Sequence, residues 1–248
     1  MSSNLVIKDK KLFKSTNLGY EIEIRVYGHY GFALLLFPSI TDSQDEPETI
    51  ELIASLQPFF EKGKFRVISI PGITYQSWFN EQKTLEERSK TQYDYNNFIL
   101  EEVVPSIFTF CGGPVPIITC GAANGAFQAA NTYFRRPDLF YGTIALSGTY
   151  NIEHYSKGYF DSNCYFNSPI HYLPNLNDSY WLSFLQSKNH VYLMSGSGEG
   201  EFPYNSQHLS DILNSKNIPN YLDIWGTEWG HNIETWQEML HHLFTVKL

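Results

Sequence analysis

The sequence predicts an α/β fold with a mainly parallel central sheet and helices on both faces. Three observations carry this prediction. Short apolar segments of strand length recur along the chain, segments with helical spacing separate them, and several apolar runs are continuous rather than alternating. Continuous runs are typical of strands that are buried on both faces of a sheet. With 248 residues, 42% of them hydrophobic, the chain is long enough for one large domain, which we expect over residues 1–248.

The predicted strands are short. The first alternates polar and apolar residues, as a half-buried strand does, and the next is the continuous run Phe-Ala-Leu-Leu-Leu-Phe. Proline and glycine follow several of them and end the strand. The predicted strands are residues 21–27, 32–37, 65–70, 116–120, 142–147, 191–195 and 221–225.

Helical segments lie between these strands. The longest, residues 84–110, begins with Thr84 and Glu87 at the spacing of a capping box, and Pro105 should kink it or start a new helix. The other predicted helices are residues 47–61, 125–136, 203–216 and 233–243. Residues 148–189 are rich in Tyr, Asn, Ser and Pro and only weakly periodic. We expect a hairpin or short helices over the sheet edge there, which could form a cap.

The composition excludes several classes of partner. The formal net charge is −9 and the basic residues are scattered, so we expect binding neither to nucleic acid nor to a membrane surface. Three widely spaced cysteines form neither a disulfide framework nor a zinc site, and no metal or cofactor is expected. The chain lacks a signal-peptide pattern and a run of 18 apolar residues, so we expect a cytoplasmic protein. The high aromatic content, 16%, favours core packing over a binding face.

The most informative segment is Gly121-Ala122-Ala123-Asn124-Gly125, which joins a predicted strand to a predicted helix. A nucleophile elbow has the pattern Gly-x-Ser-x-Gly in this same context. Small residues are needed at both ends because strand and helix approach closely there. The central position of the pattern holds Ala123, which has no hydroxyl and therefore cannot attack a carbonyl.

The helix after this turn ends in Arg135-Arg136-Pro137-Asp138-Leu139-Phe140, and this segment resembles the corresponding helix of the esterase D-like family of the α/β-hydrolase superfamily. Other blocks that are similar to the bacterial branch of that family occur in the same order. They are residues 37–38, 75–80, 98–105, 146–148, 163–169, 172–176 and 222–226. The resemblance spans residues 21–243 and implies an α/β-hydrolase fold with a serine, an acid and a histidine in that chain order.

The resemblance places the catalytic histidine at His231, which would act as the general base. A leftover, solvated loop histidine is the competing interpretation, because there is no serine for it to serve. The acid position falls on Gly200, so Glu199 or Glu201 would have to supply the carboxylate. For each glutamate the competing interpretation, an ordinary loop carboxylate, is favoured.

An oxyanion hole needs two backbone N–H donors. The resemblance implies that Asn124, which follows the nucleophile position, supplies one of them. The other belongs to the loop after the second predicted strand, at Ile40, where the family usually has small residues. A branched side chain at this position disfavours the usual loop conformation and hence the second donor.

Three hypotheses for the function remain open. The chain is a natural pseudo-esterase with a binding or scaffold role, for a small acyl-ester ligand or a protein partner. Alternatively, it is a serine carboxylesterase for a small acyl ester or thioester, present as a Ser→Ala variant at position 123, or an enzyme that uses different residues. The departures at Ile40, Asn124 and Gly200 favour the first hypothesis, because a single substitution would leave those positions unchanged. The sequence leaves the oligomeric state open.

Overall fold

A mixed eight-stranded sheet organises the chain. The computed structural model describes residues 5–188 and 190–248, apart from the side chain of His154. The strand order is β1-β2-β4-β3-β5-β6-β7-β8, in which β2 runs antiparallel to both of its neighbours, β1 and β4, and all other neighbouring pairs are parallel. The strands are β1 Asp9–Lys14, β2 Glu21–Tyr27, β3 Phe32–Leu36, β4 Phe65–Ser69, β5 Ile117–Ala122, β6 Gly142–Leu146, β7 Val191–Ser195 and β8 Tyr221–Ile224. The mainly parallel sheet predicted from the sequence is confirmed.

Ten α-helices connect or follow these strands within the described residues. Their bounds are α1 Pro47–Phe60, α2 Leu85–Phe98, α3 Val104–Cys111, α4 Asn124–Arg135, α5 Glu153–Ser156, α6 Ser162–Phe166, α7 Pro169–Asn175, α8 Ser179–Gln186, α9 Pro203–Ser215 and α10 Ile233–Val246. None of the helices in the described ranges is long and apolar enough to cross a membrane.

The predicted long helix at residues 84–110 is divided in the structure. The capping box is formed: the Thr84 hydroxyl accepts from the Glu87 N–H at 3.2 Å, and the Glu87 carboxylate accepts from the Thr84 N–H at 2.8 Å. A π-helical turn, Ile99–Val103, joins α2 to α3, and Pro105 lies in the first turn of α3. The helical backbone continues through this turn, in which the Val104 N–H donates to the Ile99 carbonyl. Of the two outcomes expected for Pro105, it marks a change of helix type, and the wider turn precedes the residue that has no N–H to donate.

Alternate residues of the sheet supply two separate cores. Along β3, Ala33 and Leu35 pack into the core beneath α2, α3, α4 and α9, whereas Leu34 and Leu36 pack into the core beneath α1 and α10. Because successive strand side chains point to opposite faces, a continuous apolar run fills both cores. Helices cover both faces, as the sequence predicts.

Four short helices, α5 to α8, occupy the segment between β6 and β7. α6 packs against α2, and α7 packs against α4 and α9. Of the two structures expected for residues 148–189, the segment thus forms short helices rather than a hairpin. A capping function for this segment stays a prediction.

Candidate active site

The turn between β5 and α4 has the backbone of a nucleophile elbow. Ala123 lies between the two elements with φ 49° and ψ −116°, a conformation that residues other than glycine rarely adopt. Its N–H donates to the carbonyl of Leu146 on β6 at 2.9 Å. The strained geometry that presents a catalytic side chain is therefore present, although the side chain is a methyl group.

Two glycines allow this turn to form. A Cβ on Gly121 would lie 2.3 Å from the carbonyl of Gly125, and a Cβ on Gly125 would lie 2.7 Å from the carbonyl oxygens of Phe37 and Pro38. Neither approach leaves room for a side chain. Gly121 and Gly125 thus fix the close packing of α4 against β5 and β3 that the sequence pattern predicts.

His231 follows β8 and immediately precedes Asn232, the residue that caps α10. Its Nδ1 lies 3.6 Å from Oε1 of Glu201, a carboxylate that is only 1% exposed. This separation is slightly longer than a hydrogen bond, and it orients the imidazole toward the carboxylate. The structure therefore brings together the histidine expected at this position and one of its two candidate acids.

The carboxylate of Glu201 is held by two serines. Oε1 accepts a hydrogen bond from the Ser147 hydroxyl at 2.5 Å, and Oε2 accepts from the Ser195 hydroxyl at 2.8 Å. Trp236 Nε1 in turn donates to Ser147 Oγ at 3.0 Å. Burial raises the pKa of Glu201, but the interactions with His231, Ser147 and Ser195 outweigh it and leave the pKa below its usual range. Glu201 is accordingly a buried, ionised partner for His231.

The other residues considered for the acid position have different roles. Glu199 is exposed, and its backbone carbonyl accepts from the N–H of His231 at 2.9 Å. Gly200 has φ 77°, and a Cβ there would lie 3.2 Å from Cβ of His231. Between the two glutamates left open by the sequence, the geometry favours Glu201.

Neither amide expected to form the oxyanion hole is free. The N–H of Asn124 donates to the carbonyl of Ser39 at 3.1 Å, and the N–H of Ile40 donates to Oε1 of Glu46 at 3.2 Å. The Asn124 side chain also donates to the Ile40 carbonyl at 3.2 Å. The loop after β3 lies close enough to accept from the Asn124 N–H in this structure, and an oxyanion donor at Asn124 stays a prediction.

The loop after β3 instead surrounds the side chain of Glu46. The carboxylate accepts from the backbone N–H groups of Ser39 at 2.7 Å, Ile40 at 3.2 Å and Thr41 at 2.5 Å. The hydroxyls of Thr41 and Thr49 add two bonds of 2.6 Å. Successive amides that converge on an anion form a nest, and here the anion belongs to the chain itself. Nothing in the spacing of the sequence indicated this role for Glu46.

Solved structures of esterases share this arrangement of strands and helices. The chain has the α/β-hydrolase fold. An S-formylglutathione hydrolase from Agrobacterium tumefaciens matches it with a TM-score of 0.71 and 11% identity, over 95% of this chain and 92% of that one. A CE1 ferulic acid esterase from the anaerobic fungus Anaeromyces mucronatus gives a TM-score of 0.69 and 12% identity, over 96% and 89%. MPT51 (FbpC1) of Mycobacterium tuberculosis gives 0.67 and 16%, over 97% and 95%.

By sequence, no protein-family model and no curated protein matches the chain. At the low identities of the structural neighbours, the likeness establishes the α/β-hydrolase fold, and the chemistry has to be argued from the site itself.

A pocket of about 190 Å³ opens over the turn between β5 and α4. Its lining comprises Ala123, Asn124, Ser147, Thr149, Tyr155, Gly200, Phe202, Asn205 and His231. Residues from the loops after β5, β6, β7 and β8 therefore converge at the carboxyl end of the sheet, where ligands of open α/β folds bind. The pocket combines apolar walls with several hydrogen-bonding groups.

The structure supports neither a cysteine nucleophile beside the elbow nor a metal site among the described residues. Cys120 lies next to the elbow, but it is fully buried and burial raises the pKa of its thiol well above the usual range, which disfavours a nucleophilic thiolate. No cluster of three or more metal-binding side chains occurs in the part of the chain that the structure describes.

Proposed function

We propose that this protein is a catalytically inactive, esterase-like α/β-hydrolase that binds a small acyl-ester ligand in the pocket over Ala123. One observation carries the proposal: the nucleophile position holds a methyl group while both amides expected to bind an oxyanion are hydrogen-bonded within the protein. The esterase fold and the mixed polar and apolar lining of the pocket support the ligand class.

The expected loss of activity is large. Removal of the serine from a serine hydrolase lowers turnover by on the order of 10⁶. Loss of a single oxyanion donor costs about 10²–10³ more. A hydroxyl restored at position 123 would therefore still lack the donors that stabilise the tetrahedral intermediate.

The occupied amides also bear on how the serine position became an alanine. A single Ser→Ala substitution removes one oxygen atom and leaves the loop after β3 as it was. The bonds from Asn124 to Ser39 and from Ile40 to Glu46 involve residues outside the substituted position. They favour a natural pseudo-esterase over a trapped enzyme.

A separate observation supports a second candidate function. The contact between His231 and Glu201, with the two serines that hold the carboxylate, is what a serine carboxylesterase would retain. Under this alternative the chain is a Ser→Ala variant of an enzyme for small acyl esters or thioesters, and the loop after β3 opens when substrate binds.

Kinetics of the Ala123→Ser variant distinguish the two functions. Hydrolysis of p-nitrophenyl acetate is measured for the unmodified chain, for Ala123→Ser and for Ala123→Ser combined with His231→Ala. We expect Ala123→Ser to stay within about tenfold of the unmodified chain, because no oxyanion donor is available. A rise of about 10³ or more that disappears with His231→Ala would contradict the proposal and establish the alternative.

Binding is tested separately by NMR titration with ethyl propionate, an aliphatic ester. The ring resonances of His231, which lines the pocket, should shift in a saturable manner. Those of His241, which contacts Phe59 instead, should not move. Absence of a saturable shift at His231, or equal shifts at both histidines, would contradict the ligand assignment.

A further inference from the structure

A second cavity lies beside the elbow pocket and shares Tyr155 with it. It encloses about 210 Å³, and its lining comprises Trp78, Phe79, Glu81, Arg88, Tyr155 and Lys157. We propose that this cavity, here called the Arg88 cavity, binds a small aromatic carboxylate, with the carboxylate on Arg88 and the ring between the aromatic walls.

Arg88 carries a buried positive charge that the described residues do not neutralise. The residue is 5% exposed, and buried arginines are normally paired with carboxylates. Its side chain donates instead to two backbone carbonyls, from Nε to Lys83 and from Nη1 to Trp78, both at 3.1 Å. Within residues 5–188 and 190–248, apart from the side chain of His154, no carboxylate lies within ion-pair distance of it.

The guanidinium keeps donors for a ligand. It has five N–H groups, and in the described part of the chain Nη2 donates to no partner. Nη2 is also not among the polar atoms that are sealed from solvent without a hydrogen bond. Because Arg88 lines the cavity, a ligand there would meet the fork of an arginine, which a planar carboxylate matches.

The walls of the cavity are aromatic and held in place. Phe79 packs against Tyr155 with a centroid distance of 5.4 Å, and Tyr75 packs edge-on against Phe79 at the same distance. Trp78 is buried, and its Nε1 donates to Gln92 at 3.1 Å. Aromatic walls with one or a few polar anchors are typical of small-molecule pockets and suit a flat ring.

Size and rim charge narrow the ligand class. A cavity of about 210 Å³ is small for a ligand pocket, which suits one ring rather than several. At the rim, Lys157 and Glu81 form an ion pair of 3.4 Å, with side chains 62% and 83% exposed. These two charges offset each other, so the charge that a bound ligand meets is that of Arg88.

This inference is independent of the proposed function. Neither Ala123 nor His231 lines the Arg88 cavity. Ligand binding in this cavity and hydrolysis at the elbow are therefore measured separately, and one proposal can be wrong while the other holds. The shared Tyr155 makes the two cavities neighbours, not one site.

The test compares 4-hydroxybenzoate with the neutral 4-hydroxybenzamide by calorimetry and tryptophan fluorescence. We expect saturable binding of the acid at millimolar concentrations or below, and binding of the amide weaker by about tenfold or more, because the neutral amide offers the guanidinium one acceptor oxygen instead of two and no negative charge. Trp78→Phe should remove the fluorescence change. Arg88→Met should lower the affinity for the acid at least tenfold, whereas Lys62→Met, an exposed control, should not change it.

Three results would overturn the inference: equal affinity for acid and amide, unchanged affinity in Arg88→Met, or no saturable binding up to about 10 mM. If Arg88→Met does not fold, the comparison of acid and amide on the unmodified chain decides. Phe79→Ala, at a partly exposed position, then serves as the second variant and should weaken binding several-fold. His231→Ala should leave binding of the acid unchanged.

Discussion

Replacement of Ala123 by glycine should stabilise the protein. A non-glycine residue at φ 49° and ψ −116° costs about 1–3 kcal/mol in backbone strain. Glycine removes that strain but loses about 0.5–1 kcal/mol through the greater entropy of the unfolded chain. The difference predicts that Ala123→Gly raises the free energy of unfolding by about 1 kcal/mol. Urea unfolding followed by circular dichroism measures this as a higher midpoint at unchanged slope.

Ala130→Gly is the matched control for this prediction. Ala130 is fully buried within α4, where glycine costs about 1 kcal/mol in helix propensity and about 0.8 kcal/mol for the buried methyl group. We expect this variant to be destabilised by about 2 kcal/mol. If Ala123→Gly were destabilised as well, position 123 would hold no strain, and the elbow geometry assigned to it would be refuted.

Two further predictions concern carboxylates. Glu46→Gln should lower the free energy of unfolding by about 3 kcal/mol or more, because an amide cannot accept all five hydrogen bonds that the carboxylate accepts. The control Glu51→Gln, at an exposed position, should change the free energy of unfolding by less than about 0.5 kcal/mol. An equally small effect of Glu46→Gln would show that the hydrogen bonds to Glu46 are dispensable for stability. Glu201 has a pKa below its unfolded value of about 4.5, so its contribution to stability is present above that pH and is lost as the pH falls through the lower, folded pKa. The difference in unfolding free energy between the unmodified chain and Glu201→Gln should therefore shrink in acid, and a difference constant from pH 7 to about 3 would contradict the assignment.

Apolar patterning made most of the fold predictable. Strands β3 to β7 are buried on both faces, and continuous apolar runs mark such strands in any sequence. β1 was not predicted, because Asp9–Lys14 is almost wholly exposed and pairs only with β2 at the sheet edge. Helices α5 to α8 have four to eight residues each, too few turns for a helical period to emerge.

The candidate site was predictable where backbone geometry dictates residue type. Gly121 and Gly125 are required by close approach, and they mark the elbow even though Ala123 lacks the hydroxyl. The choice between Glu199 and Glu201 depends on side-chain direction in a loop, which spacing does not encode. The same is true of Glu46, whose contacts with the amides of residues 39–41 exist only in the folded loop.

Under the proposed function, this chain keeps the scaffold of an esterase site and lacks its chemistry. Reaction with a fluorophosphonate, followed by intact mass spectrometry, tests it most directly, because phosphonylation needs both an activated serine and an oxyanion hole. We expect no adduct within hours on the unmodified chain or on Ala123→Ser. A stoichiometric adduct at position 123 of the variant, or at Ser147 of the unmodified chain, would contradict it.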